Sequence, residues 1–244
     1  MSLKAVLFDF NGVIINDEPI HEKLIEQLLI EENLRPKRGE YRQYCLGRSD
    51  RACLNDILLR RGRFVSDAVL KELIARKTRA YQTQLETMAQ LPIFPGLEDF
   101  ILKLQAAGIK LAVVTGALRG ELEFVLNKTN LAQYFSVTVT ANDLTASKPA
   151  PDGYLLAVER LNQTHPELNL QPSECLVIED TQAGITAAKR AGMCVVGIAN
   201  TYPFHMLQRQ ANWTVDYFSD LELDRIQEVY SRYDPQRSAG AVLE

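Results

Sequence analysis

The stretch Lys4-Ala5-Val6-Leu7-Phe8-Asp9-Phe10-Asn11-Gly12-Val13 decides how the chain is read. An apolar run of strand-favouring residues ends in a carboxylate, an amide and a glycine, which places Asp9 and Asn11 at the carboxyl end of a buried strand. In open α/β sheets ligands bind at that end. A bare acid there is costly to bury without a cation or hydrogen-bond donors, so the rest of the chain is expected to supply them.

Past a loop around Asn16-Asp17-Glu18-Pro19 the pattern turns helical, over Ile20 to Glu32, then Asp50 to Arg61 and Ser66 to Met88, with no convincing strand between them. This reads as an all-helical insertion, 16–92, that returns through Leu91-Pro92-Ile93-Phe94-Pro95-Gly96. From there helix and strand alternate: helix Leu97 to Ala107, strand Lys110 to Thr115, helix Leu118 to Lys128, strand Ser136 to Thr140, helix Pro151 to Leu161. Strand Cys175 to Glu179, helix Gln182 to Ala191 and strand Met193 to Ile198 follow. Such alternation predicts an α/β fold, a doubly wound parallel sheet covered by helices on both faces, built from 1–15 and 93–244. The tail from about Asp234 has little apolar periodicity and reads as mobile.

With 244 residues there is enough chain for a sizeable core, and 46% hydrophobic against 24% charged residues is the balance of an ordinary soluble protein. A net charge of −4 argues against nucleic acid or anionic lipid as partners. No apolar stretch is long enough to span a membrane, and Met1 opens no signal sequence. Cys45, Cys53, Cys175 and Cys194 have no metal-ligand spacing and are expected to be free thiols in a reducing cytoplasm. Nothing resembles a heptad seam, and the sequence sets no oligomeric state.

Three further stretches carry the residue types that the acid at position 9 needs. Leu111-Ala112-Val113-Val114 ends in Thr115-Gly116, a hydroxyl followed by open backbone N–H groups; Leu176-Val177-Ile178 ends in Glu179-Asp180; Ala146-Ser147-Lys148-Pro149 holds one lysine in a loop. Convergent strand ends would bring two or three carboxylates to one lysine and one hydroxyl. Neighbouring carboxylates repel unless a hard cation sits among them, and Mg²⁺ favours a few carboxylate oxygens together with substrate phosphate and water. Lysine and hydroxyl would hold the remaining phosphate oxygens, leaving Asp9 as an anionic nucleophile.

On these motifs the chain resembles the haloacid dehalogenase superfamily, nearest the beta-phosphoglucomutase-like phosphatases with a helical cap. The matching stretches are Phe8-Asp9-Phe10-Asn11-Gly12-Val13, Pro95-Gly96, Val113-Val114-Thr115-Gly116, Ser147-Lys148-Pro149-Ala150-Pro151-Asp152 and Val177-Ile178-Glu179-Asp180-Thr181-Gln182-Ala183-Gly184-Ile185. The resemblance implies a Rossmann-like core and Mg²⁺-dependent hydrolysis of a small phosphorylated metabolite through an aspartyl phosphate on Asp9. It implies phosphoryl contacts from Thr115, Gly116 and Lys148. The metal ligands would be Asp9, the Asn11 carbonyl, Asp180 and, as a ligand or an outer acceptor, Glu179. It also implies a cap whose Leu46-Gly47-Arg48-Ser49-Asp50-Arg51 loop selects substrate, with Arg48, Arg51, Lys77, His21 and Arg119 as candidate contacts. Read without the resemblance, Arg48, Arg51 and Lys77 are surface charges, Thr115 is a helix N-cap, and His21 is an ordinary polar residue at the domain junction.

One departure matters. Active phosphatases and mutases of the family carry a second aspartate at the place of Asn11, which protonates the leaving oxygen and then activates water. An amide cannot exchange a proton near neutral pH, and that exchange contributes about 10² to 10⁴ in rate. The expectation is an intact metal and phosphate site with weak or specialised turnover: a good leaving group such as an acyl phosphate, substitution by Asp17 and His21, or deamidation at Asn11-Gly12. The alternatives are a protein that binds a phosphorylated metabolite without turnover, and a phosphoglucomutase-type phosphotransferase. Against the last, the family's polar cap and loop residues are Leu46, Asp50, Ala117 and Leu118 here.

Overall fold

The computed structural model describes residues 2–232, so the tail expected to be mobile from Asp234 lies outside the described residues. The chain runs β1 (Ala5–Phe8), α1 (Glu18–Glu31), α2 (Glu40–Tyr44), α3 (Asp50–Arg60), α4 (Asp67–Glu86), α5 (Leu97–Ala106), β2 (Lys110–Val114), α6 (Arg119–Lys128) and β3 (Val137–Val139). It continues through α7 (Asp152–Thr164), β4 (Cys175–Glu179), α8 (Gln182–Arg190), β5 (Cys194–Ile198), α9 (Phe204–Leu207), β6 (Trp213–Val215) and α10 (Leu223–Arg232). All six strands are parallel, in the order β3-β2-β1-β4-β5-β6. The α/β architecture expected from the alternation is therefore present, and β1 occupies the middle of the sheet.

Side chains of β1 alternate between two cores, as a strand buried on both faces requires. Val6 and Phe8 face a cluster with Phe100, Ile101 and Leu104 of α5, Leu122 and Val125 of α6, and Ile226 of α10. Ala5 and Leu7 face the opposite cluster, with Tyr154 and Leu161 of α7 and Ile185 and Ala188 of α8. The helices between β1 and α5 build a third cluster around Ile25, Leu28, Leu54, Ile57, Leu73 and Ile74. Ile20, Leu24, Tyr81 and Leu85 of the same insertion belong instead to the first sheet core, so α1 and α4 are rooted in it.

The chain winds outward from β1 through β2 to β3, then returns to the other side for β4, β5 and β6. The crevice at the carboxyl ends of β1, β2 and β4 is the switch point of such a sheet, where a ligand can reach backbone and side chains from two directions. Element ends differ from the expected ones by at most three residues, the largest difference being α7, which runs on to Thr164, past the expected Leu161. Four elements carry no signal strong enough to be expected: α2 and α9 are single turns, β6 is a three-residue half-buried edge strand, and α10 follows it. Among the described residues no helix is long and apolar enough to cross a membrane.

The cysteines require a correction. Cys45 and Cys53 are not free thiols; they form a disulfide with 4.6 Å between their Cα atoms. The turn that ends α2 and the first turn of α3 fold back on each other, which brings two buried sulfurs together. Cys175 and Cys194 are free.

Candidate active site

Asp9 lies one residue beyond β1, and its N–H donates to Ile178 O at 3.0 Å, so the ladder with β4 still holds it. Its Oδ1 accepts from the Phe10 N–H at 2.8 Å and stands 2.8 Å from Lys148 Nζ. Lys148 also donates to Glu179 Oε1 at 2.6 Å and to Val114 O at 3.1 Å, so one ammonium ties the ends of β1, β2 and β4 together. Thr115 follows β2 directly and is buried. Its hydroxyl accepts from the Ala117 N–H at 3.0 Å, within the loop; the N-cap of α6 is Leu118, so Thr115 does not cap that helix.

The two acids after β4 differ in their surroundings. Glu179 accepts from Lys148 and, at 2.8 Å, from the Tyr154 hydroxyl with one oxygen, and from the Asp180 and Thr181 N–H groups and the Thr181 hydroxyl with the other. Its hydrogen-bonding capacity is largely used. Asp180 accepts the Thr201 hydroxyl with Oδ2, while its buried Oδ1 has no partner. Gly12, with φ +76°, lets the β1 loop lie directly on the Asp180 carboxylate, where a Cβ would collide.

Asp9, Glu179 and Asp180 offer oxygens that all lie within 4.8 Å of one another. Burial first, and then the Glu179 charge, raise the Asp9 carboxyl to about 7 despite Lys148. Burial, then the charges of Glu179 and Asp9, hold Asp180 well above the ordinary carboxylate range. Burial pushes Glu179 up as well, but Lys148 and the hydroxyl and amide donors more than offset it and leave it low. Two buried acids that resist ionisation beside one that is ionised form a set that a divalent cation would satisfy, and the orphaned Asp180 oxygen supplies an unused ligand. The residues fit such an ion.

Beside this cluster, the Asn11 amide donates to Asp17 Oδ2 at 2.9 Å and lies 3.1 Å from His21 Nε2, which is 3.2 Å from the same Asp17 oxygen. Tyr81 of α4 donates to that oxygen at 2.5 Å and stacks on the His21 ring, with centroids 4.6 Å apart. His21 is therefore no ordinary junction residue: it is buried within a closed set of polar side chains. Burial and the Lys77 ammonium weaken its hold on a proton, and Asp17 more than restores it. The position of Asn11 consequently faces a carboxylate and an imidazole.

The insertion reaches the core through the loop between α2 and α3. The Ser49 N–H donates to Ser147 Oγ at 2.9 Å, and a Cβ on Gly116 would stand 3.0 Å from Ser49 N, so this loop lies on the turn after Thr115. A cavity of about 40 Å³ beneath it is lined by Asp9, Asn11, His21, Arg48, Lys77 and Glu121. Arg48 lines it while bonded to Asp56 at 2.7 Å and to Tyr44 O at 3.1 Å. Arg51 belongs instead to a larger neighbouring cleft of about 430 Å³ that includes Thr115, Gly116 and Lys148, and it pairs there with Asp67. Lys77, read from sequence as a surface charge, is 2% exposed and bridges Asp50 at 2.8 Å and Glu121 at 3.3 Å. Arg119 lines neither cavity; it pairs with Asp143 at 2.7 Å, beside the end of β3.

The family model for haloacid dehalogenase-like hydrolases matches residues 3–192. The chain belongs to this family. Beta-phosphoglucomutase of Bacillus subtilis is 29% identical over 237 residues, covering 95% of this chain and 97% of its own. Validoxylamine A 7'-phosphate phosphatase of Streptomyces hygroscopicus subsp. limoneus is 31% identical over 199 residues, covering 82% and 87%. The crystal structure of beta-phosphoglucomutase from Clostridium difficile superposes on this hydrolase with a TM-score of 0.81 at 25% identity, covering 95% of this chain and 98% of that one.

Two residues of the hydrolase's site carry no local sequence signal. Tyr81 and Glu121 sit at helical positions indistinguishable from core and surface; the packing of α4 on α1 makes Tyr81 a partner of Asp17, and the meeting of α4 with α6 makes Glu121 a partner of Lys77. Glu121 is the core's half of the Lys77 bridge: its other oxygen accepts the Leu118 N–H at 3.3 Å. Glu121→Gln is expected to destabilise the protein by about 1–3 kcal/mol, because a buried ammonium loses one of its two counter-charges. A lower urea midpoint at unchanged m-value is the readout.

Proposed function

We propose that this chain is a Mg²⁺-dependent phosphohydrolase of small phosphorylated metabolites, with sugar phosphates, the class in its relatives' names, as the first to test. One observation carries the reading. Asp9 is fixed at the switch point with a free carboxylate edge, beside a lysine and an acid whose oxygen has no partner. In this reading Asp9 attacks phosphorus and carries the phosphoryl group until water releases it. Thr115, the Gly116 N–H and Lys148 hold the transferring oxygens. Lys148 keeps its proton throughout: burial alone would lower its pKa, and Asp9 and Glu179 together raise it.

Asp9, Asp180 and the Asn11 carbonyl would hold Mg²⁺, with Glu179 as the outer acceptor that orients Lys148. When bound, the ion withdraws charge from the phosphoryl oxygens and favours the ionised form of the two raised acids. The insertion, 16–92, serves as the cap, with Arg48 and the small cavity facing the leaving group and excluding water. Asn11 cannot supply a proton, so the reading favours substrates whose leaving group needs none. The same residue supports a second reading, a protein that binds such metabolites without turnover. A phosphomutase reading is weaker, since Lys77 is consumed by Asp50 and Glu121.

The test is phosphate release from acyl phosphates, sugar phosphates and nucleotides, with Mg²⁺ and with a chelator. Turnover that needs Mg²⁺ and is greatest on acyl phosphates is the expected result. No release from any class, with phosphate compounds still raising the melting temperature, would transfer the case to the binding reading.

A further inference from the structure

The Cys45–Cys53 disulfide closes the very segment that lies on the active-site loops. Between the two cysteines, Ser49 donates to Ser147 next to Lys148, Gly116 abuts Ser49, and Asp50 pairs with Lys77. Gly47 approaches the third core loop so closely that a Cβ there would stand 2.5 Å from Thr181 Oγ1. The bridged segment therefore touches the loops after β2, β3 and β4. Both cysteines are almost wholly buried, 5% and 1% exposed, yet both line the small cavity that contains Asp9. The cavity that both sulfurs line gives a small reductant a route to them.

We propose that Cys45–Cys53 is a reversible thiol–disulfide site, open to dithiol reductants through the cleft, that sets how firmly residues 46–52 are held over bound substrate. Reduction breaks the single S–S bond and takes two electrons and two protons from the dithiol, which leaves as its own disulfide; an oxidised dithiol runs the exchange backwards. In the bridged form the segment is a short closed loop with few accessible conformations, so little order remains to be imposed when substrate binds. In the reduced form the hydrogen bond from Ser49 and the ion pair of Asp50 persist as contacts without the covalent closure that enforces them. The effect on turnover rests on the phosphohydrolase reading; the thiol chemistry and the loosening do not.

The experiment begins with protein purified without reductant, denatured and alkylated with iodoacetamide. Two adducts are expected, at Cys175 and Cys194, and four after dithiothreitol. Four adducts before reduction, and again after incubation with oxidised dithiothreitol, overturn the site. On the folded protein, trypsin is expected to cut after Arg48 and Arg51 about tenfold faster once the bridge is reduced, and as fast in the Cys45→Ser/Cys53→Ser variant. Equal cutting of the oxidised and reduced wild type overturns the loosening. For any substrate turned over, KM is expected to rise about three- to tenfold on reduction, the cost of ordering one or two side chains, with the double variant unresponsive to dithiothreitol. An unchanged KM overturns control of substrate binding. Absence of turnover in every form counts against the phosphohydrolase reading, while the adduct count and the cleavage rates decide this one by themselves.

Discussion

Asp9→Asn is expected to lower phosphate release by about 10⁴-fold or more while leaving the fold intact and, in chelator, raising its melting temperature. The loss follows from chemistry: an amide oxygen cannot serve as the anionic nucleophile, Glu179 is taken by its donors, and Asp180 is assigned to the metal in the proposed reading. The gain in stability follows from the electrostatics of an empty acidic site. The Asp9 carboxyl is raised to about 7 in the folded chain, chiefly by burial and then by Glu179. In the unfolded chain it returns to about 4. The folded state therefore holds this proton more tightly, so ionisation opposes folding: the penalty is absent below about pH 4, grows as pH rises, and is complete above about pH 7. The amide removes the penalty and leaves Lys148 still bonded to Glu179 at 2.6 Å and to Val114 O at 3.1 Å. The variant's advantage should thus widen from pH 5 to pH 8, at about 2–4 °C for each kcal/mol relieved. Thermal scans at several pH values in chelator check this, and a difference that is flat with pH refutes the electrostatic account.

Much of this site is legible in the sequence because it stands where apolar strands stop. The run into Asp9, the run into Thr115 and the run into Glu179-Asp180 each change from buried to polar within one residue, and the alternation of helices dictates that those ends share one edge of a parallel sheet. Lys148 is legible as the one lysine in a loop between two such runs. The insertion is harder to read. Lys77, Tyr81 and Glu121 lie on helices whose periodicity separates inside from outside but does not say which outside meets the core, and that meeting is what buries them. Arg119 shows the reverse: at the start of a helix after the phosphate loop it has the position of an anion contact, yet Asp143 is nearer and takes the guanidinium. The disulfide depends on α2, one turn beginning at Gly39 with φ +75°, which nothing in local composition marks as the element that turns Cys45 back toward Cys53.

Asn11→Asp is the complementary experiment, expected to raise release from alkyl and sugar phosphates by about 10² to 10⁴-fold, the size of a general acid–base contribution. The new carboxyl would take the place of an amide 2.9 Å from Asp17 Oδ2. Two carboxylates at that distance do not both ionise readily, so one of them keeps its proton toward neutral pH, as an acid for the leaving oxygen must. Asp17 is the partner that stays ionised: burial alone would raise it, but His21, Tyr81 and the position-11 amide hold it low, and the first two remain in the variant. The proton therefore falls to position 11, which lines the cavity beside Asp9, and not to position 17. The substitution also sets a second carboxyl beside a buried carboxylate, so an expected stability cost of about 1–3 kcal/mol sets in as pH rises and position 11 ionises. Substrate choice separates the explanations. Acyl phosphates, whose leaving group needs no proton, should gain little, and a large gain confined to alkyl esters marks the missing acid as the reason the wild type is slow on them. If alkyl esters gain nothing although the variant folds, the limit lies in how the cap segment engages the leaving group, and Arg48 with the bridged loop becomes the determinant of turnover.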